Sequence, residues 1–140
     1  MRGIYVLFLH VPFSMPAVIG GLGRLEFKGG YYAYVGSAMG GLEQRVGRHL
    51  QQEKALHWHI DYLLLRALPY DVVVAETGER KECQLAAKLM EKFPCVEGFG
   101  SSDCKCRSHL FYSPEPAPLL EEVLKAMKEL GLTPRRQKIV

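Results

Sequence analysis

From Gly3 to Val11 the chain runs Gly-Ile-Tyr-Val-Leu-Phe-Leu-His-Val, a β-branched and aromatic stretch stopped by Pro12, and this pattern predicts a strand. Between Ala17 and Phe27 the apolar residues Val18, Ile19, Leu22, Leu25 and Phe27 are punctuated by Gly20, Gly21 and Gly23, which predicts a hairpin-like excursion with a tight bend. Gly29-Gly30 then turns the chain into a second core strand, Tyr31 to Val35. Past Gly40-Gly41, the fourfold spacing of Leu42, Val46 and Leu50 predicts a helix from Leu42 to about Gln52. A second helix is predicted from about Leu56 to Ala67 through Trp58, Tyr62 and Leu65, with Pro69 ending it. Asp71 to Glu76 reads as a short buried strand, and Lys81 to Phe93 as a helix through Leu85, Leu89 and Phe93. Pro94 to Asp103 reads as a Gly/Ser-rich loop and His109 to Tyr112 as one more strand. Pro114, Pro116 and Pro118 predict a stiff linker before an amphipathic helix, Leu119 to Leu130, with Leu120, Val123, Leu124, Met127 and Leu130 inward and Gly131 at its end. The basic tail, Pro134 to Val140, is expected to be loose.

A chain of 140 residues is long enough to bury a core without cross-links, so one domain is expected. With 48% hydrophobic and 24% charged residues, the composition excludes a disordered or fibrous chain. Apolar runs such as Val6 to Leu9 and Leu63 to Leu65 fall far short of the ~20 residues that cross a bilayer. The first residues lack the cleavage site of a signal peptide, so a cytoplasmic protein without a membrane partner is expected. The net charge of +3 suits a polyanionic partner without requiring one. Four cysteines without a secretion signal favour thiols or metal ligands over a disulfide scaffold, unless the source is a hyperthermophile; the absence of Asn fits heat tolerance.

Phosphodiester hydrolysis needs a cation beside the non-bridging oxygens, a group that positions or deprotonates water, and as a rule a carboxylate-held metal. Tyr5 on the first strand and Tyr34 on the second set two phenols toward one side of a small sheet. Arg45 and His49, four residues apart, put a guanidinium and an imidazole on one helical face. Arginine suits the anion because its fork gives two donors and never deprotonates. Glu82 begins the helix after the third strand, where its carboxylate can face the same pocket and hold Mg²⁺ through oxygen and water.

Through Gly3-Ile4-Tyr5 and Tyr34-Val35-Gly36 the chain resembles the GIY-YIG (Uri-type) endonuclease superfamily. Leu42-Glu43-Gln44-Arg45-Val46 resembles the segment bearing that family's catalytic arginine, His49 stands where it has His or Tyr, and Glu82 resembles its metal-binding glutamate. The resemblance covers about Gly3 to Phe93. It implies an α+β fold, a small and mainly antiparallel sheet flanked by helices, with residues 1–113 as the nuclease domain and 114–140 as a linker and C-terminal helix packed on it. It further implies a Mg²⁺- or Mn²⁺-dependent endonuclease acting on nucleic acid, foremost DNA. Tyr5, Tyr34, Arg45 and His49 would be catalytic, Glu82 would hold the metal, and Gly36, Ser37 and Arg48 would meet the nucleic acid. The His-Trp-His-Ile-Asp and Asp-Cys-Lys-Cys-Arg-Ser-His segments resemble a small branch, some of it joined to endonuclease III-type DNA glycosylases, which implies a DNA-repair setting and a repair partner. The chain departs from the family at three points. Its two tripeptides are farther apart than usual, so Val11 to Gly30 must form an added hairpin; Ser37 stands where many members have Lys; and the family's trailing Asn is absent.

On a helix, residues two apart point to different faces, so His57 and His59 are not expected to share an ion. His57 and Asp61 share a face, and packing and hydrogen bonding around Trp58 is the favoured reading there. Cys95, Cys104, Cys106 and His109 offer four soft ligands to tetrahedral Zn²⁺, against buried thiols or a disulfide. Gly20-Gly21-Leu22-Gly23-Arg24 is rejected as a nucleotide loop, because neither Gly-Lys-Ser/Thr nor a third Gly of the dinucleotide pattern follows. Two alternatives to a nuclease stand: a non-catalytic nucleic-acid-binding module using Arg45, Arg48 and His49, and a zinc-stabilised interaction domain.

Overall fold

The computed structural model describes residues 1–51, 55–101 and 104–139. In chain order the elements are β1 (Gly3–Val11), β2 (Met15–Val18), β3 (Arg24–Phe27), β4 (Gly30–Ala38), α1 (Leu42–Leu50), α2 (His59–Leu63), β5 (Leu68–Glu76), α3 (Glu82–Met90), β6 (Leu110–Ser113), α4 (Pro116–Glu129) and β7 (Arg135–Lys138). The fold is α+β. Five strands form one antiparallel sheet in the order β6-β4-β1-β5-β7, and β2 and β3 pair as a separate hairpin.

β1 is apolar from Ile4 to Leu9 because both its faces are covered. Tyr5, Leu7, Leu9 and Val11 point to one side, where Leu42 and Val46 of α1, Ile60 and Leu63 of α2, and Phe27 of the hairpin close over them. Ile4, Val6 and Phe8 point to the other, against Leu85 and Leu89 of α3 and Leu119, Val123 and Met127 of α4. Alternation of side chains across the strand therefore sends one stretch of sequence into two cores. The β2–β3 excursion fills the interval between Val11 and Gly30, and Gly20 and Gly23 take positive φ at its bend, a conformation that favours glycine.

Several boundaries differ from the sequence expectation. α2 is one short turn, not a helix from Leu56 to Ala67, because the Asp61 carboxylate accepts hydrogen bonds from the backbone N–H groups of His57 and Trp58 at 2.8 Å and starts the helix only at His59. Pro69 lies inside β5 and does not mark a helix end; it pairs opposite Leu9, where the register shifts. Pro116 and Pro118 belong to the first turn of α4, which tolerates proline because the N–H groups there have no helical partner, so the linker is shorter than expected. The stripe of α4 is Leu119, Val123, Ala126 and Met127, with Leu120, Leu124 and Leu130 at its margin. In α1, Leu50 is exposed and His49 is buried in its place. The tail expected to be loose supplies β7: it covers the edge of β5, and Arg136 pairs with the buried Asp71 at 2.7 Å. Gln52, Asp103 and Val140, expected to end a helix, a loop and the tail, lie outside the described residues. No helix among the described residues is long and apolar enough to cross a membrane.

Candidate functional site

The two tripeptides meet across the β1–β4 ladder, in which Tyr5 pairs with Gly36 and Leu7 with Tyr34. Both phenols therefore lie on the α1 side of the sheet, with ring centroids 6.4 Å apart. Each tripeptide glycine has its own steric reason. A Cβ at Gly3 would run into the Ala75 carbonyl of β5, and one at Gly36 would run into the Tyr5 ring. Gly36→Ala is accordingly expected to displace the Tyr5 ring and cost about 1–3 kcal/mol through overpacking. Urea melts and the ring signals of Tyr5 in NMR check this, and an unmoved ring at unchanged stability refutes it.

Behind Tyr5, its hydroxyl lies 2.6 Å from His49 Nε2 in a buried contact. Burial pushes the Tyr5 phenol well above its ordinary pKa, Tyr34 adds to the rise, and the Arg45 charge opposes it. Tyr34 is raised in the same way, mainly by burial. Both phenols thus stay protonated at neutral pH. With its lone pair on Nε2, His49 can instead take the Tyr5 proton while the Tyr5 oxygen takes one from water, so the phenol relays a proton without first ionising.

Arg45 reaches the same place from α1. Its Nη1 donates to the Ser37 carbonyl at 2.9 Å and its guanidinium stacks on Trp58 at 4.3 Å. Arg48 also stacks on Trp58, at 4.5 Å, and three of its donors are engaged: Nη1 and Nη2 bind Asp61 at 2.8 and 3.0 Å, and Nη2 also donates to the Ala55 carbonyl. Asp61 is wholly buried. Burial raises its pKa, but hydrogen bonds from Arg48, Trp58 and His57 and the Arg48 charge outweigh that, and the carboxyl titrates below its usual range. The His-Trp-His-Ile-Asp segment therefore builds a support around Trp58. His59 joins it by accepting the Gly100 N–H at Nδ1 at 2.8 Å.

In front of Tyr5 a cleft of about 190 Å³ is lined by Tyr5, Tyr34, Gly36, Ser37, Arg45 and Glu82, together with Val35, Trp58, Arg80, Cys83, Gly100, Cys104 and His109. The expected residues Tyr5, Tyr34, Gly36, Ser37, Arg45 and Glu82 are thus brought together; His49 stands behind Tyr5, and Arg48 behind Trp58. Glu82 opens α3, and its Oε2 is buried without a hydrogen-bond partner among the described residues. Sequence reasoning missed Arg80, a second guanidinium two residues before Glu82, and Trp58 as a wall of the cleft.

A second group of donors shares that wall. Cys83, Cys104, Cys106 and His109 place their ligand atoms within 4.8 Å of one another, and this set could hold a metal ion. His109 Nε2 lies 3.9 Å from Cys83 Sγ and 3.4 Å from Cys104 Sγ. The expectation of Cys95 as the fourth ligand is corrected to Cys83. Cys95 bridges to Phe111 and packs with the α3–α4 core, where its thiol donates to Glu97 at 3.7 Å. Burial raises the thiol pKa of Cys83 and of Cys106, and the neighbouring Cys104 adds to both shifts.

Neither the comparison with curated proteins nor that with solved structures finds a match. The model of the family described as domain of unknown function DUF123 matches residues 4–132, which include all the residues of the cleft and of the Cys/His set, and the chain belongs to that family.

Proposed function

We propose that the cleft hydrolyses phosphodiester bonds of nucleic acid, with DNA as the first substrate to test. The observation that carries this reading is the convergence of Tyr5, Arg45 and Glu82, from three different elements, on one cleft beside a buried phenol–imidazole pair. Arg45 and Arg80 supply fixed positive charge for the non-bridging oxygens of the scissile phosphate, and Arg45 is held in place by Ser37 and Trp58. The Tyr5–His49 pair takes the proton of the attacking water, and Tyr34 narrows the cleft beside it.

The resemblance also implies Mg²⁺ or Mn²⁺. The donor present fits: Glu82 keeps one buried carboxylate oxygen without a hydrogen-bond partner among the described residues, a hard donor of the kind a hard cation takes. Bound there, the cation would neutralise charge on the phosphate and the leaving oxygen. A DNA-repair setting and a repair partner rest on the resemblance alone.

Glu82→Gln tests the metal assignment, since it keeps the shape and removes the charge. Cleavage at limiting Mg²⁺ is expected to fall by about two orders of magnitude, roughly 3 kcal/mol of barrier, and to recover in part as Mg²⁺ is raised. The assay uses flapped, branched, damaged and single-stranded substrates with and without Mg²⁺ or Mn²⁺. Equal rates for the variant and the wild type at limiting Mg²⁺ would remove Glu82 from the site.

A further inference from the structure

The ligand atoms beside the cleft come from two parts of the chain. Cys83 stands in the first turn of α3, Cys104 and Cys106 lie in the loop before β6, and His109 directly precedes that strand. We propose that Cys83, Cys104, Cys106 and His109 bind one Zn²⁺ in a closed tetrahedral site that forms part of the wall of the cleft.

Chemistry, distance and orientation point to the same ion. Three thiolates and one imidazole make a donor set and a coordination number that structural zinc takes. At Zn–S and Zn–N lengths of about 2.3 and 2.0–2.1 Å, the edges of the tetrahedron would be about 3.6–3.8 Å. His109 Nε2 stands 3.9 and 3.4 Å from two of the sulfurs, and the whole set lies within 4.8 Å. Its Nδ1 donates to the Val35 carbonyl at 2.9 Å, which fixes the tautomer and turns the Nε2 lone pair toward the sulfurs. A backbone carbonyl behind the imidazole is the arrangement that orients ligating histidines. The four cysteines are free thiols, so no disulfide competes for the sulfurs.

With all four positions taken by the protein, such an ion holds structure and does not activate water. Cys83, Cys104 and His109 all line the cleft, and Cys83 follows Glu82 in the chain. Zinc therefore ties the start of α3 to the loop before β6 and fixes the backbone from which Glu82 projects. This site stands apart from the nuclease reading, because metal content and ligand symmetry are measured without any cleavage assay.

The test takes the full chain, purified without chelator, together with Cys83→Ser and the control Cys95→Ser. Elemental analysis is expected to find about one zinc per chain in the wild type and in Cys95→Ser, and a severalfold loss of zinc from Cys83→Ser under a competing chelator. Cobalt exchanged into the wild type is expected to give strong thiolate charge-transfer and tetrahedral ligand-field bands. Removing the ion is expected to lower Tm by on the order of 10 °C. Zinc far below one equivalent after reconstitution, or the weak spectrum of octahedral cobalt, overturns the proposal. Equal zinc loss from Cys95→Ser and Cys83→Ser overturns the ligand set. If Cys83→Ser does not fold, the wild-type cobalt spectrum decides alone.

Discussion

Arg45→Ala is expected to fold like the wild type and to lose about a hundred- to a thousandfold of nucleic-acid cleavage, the scale on which removal of one charge-stabilising donor acts. The side chain is half-buried and its guanidinium meets Ser37 and Trp58 at the rim of the cleft, so truncation opens no core cavity. The loss has two routes. Transition-state charge goes uncompensated, and the Tyr5 phenol loses the positive charge that opposes its raised pKa, so it becomes a poorer relay. Raising Mg²⁺ restores neither, which separates this variant from Glu82→Gln. Arg45→Lys should recover only part of the rate, since an ammonium gives a point charge where the fork gave two donors. Wild-type rates for Arg45→Ala would sink the assignment. A wild-type protein that cleaves none of the substrates yet binds them in a salt-sensitive way would give the site to a binding module.

Asp61→Ala carries the largest stability effect expected here, about 3 kcal/mol, because Arg48 and two backbone N–H groups lose the buried carboxylate they share. Two Arg48 donors and the N–H groups of His57 and Trp58 all end on this carboxylate. Its removal frees the start of α2 and the support under Trp58 together. The same group sets a pH dependence. Its folded-state pKa lies below the unfolded value of about 3.9, so the stabilisation is complete above that value and is lost as pH falls through the folded-state pKa. Urea melts of the wild type should therefore weaken steeply below about pH 4, while Asp61→Ala loses that component of the slope. Equal midpoints for the two proteins at pH 7 would contradict the assignment.

The parts of the fold legible in sequence were those with punctuation at both ends. β1 was legible to the residue because Pro12 stops an apolar run, and α3 opens at Glu82 as expected, whereas β4 runs on through Gly36 to Ala38, past the expected end at Val35, because it stays paired with β1 as far as Gly3. Tyr5, Tyr34, Arg45 and Glu82 of the cleft were expected from their order along the chain and from the family resemblance, whereas Trp58 and Arg80 carry no local signal of their place in its wall. The misses came from side chains that override local pattern. The Trp58–Tyr62–Leu65 spacing reads as a long helix, yet one carboxylate at Asp61 captures the preceding N–H groups and shortens it. The pairing of Arg48 with Asp61, 13 residues on, has no local signal either, because only the folded chain brings the two together. Cys95 was the nearer cysteine in sequence, but its bridge to Phe111 carries it to the other core, while the first turn of α3 brings Cys83 to the cleft.

The strand order also bears on how the protein is made. The sheet grows outward from β1, and its two edges, β6 and β7, are the last two strands in the sequence. During synthesis β1, β4 and β5 can pair as soon as they emerge, but the outer hydrogen-bonding edges of β4 and β5 stay open until residues 110–113 and 135–138 leave the ribosome. An open apolar edge is where nascent chains add to one another. The basic β7, with Arg136 seated on Asp71, is therefore both the final closure of the sheet and its protection against self-association.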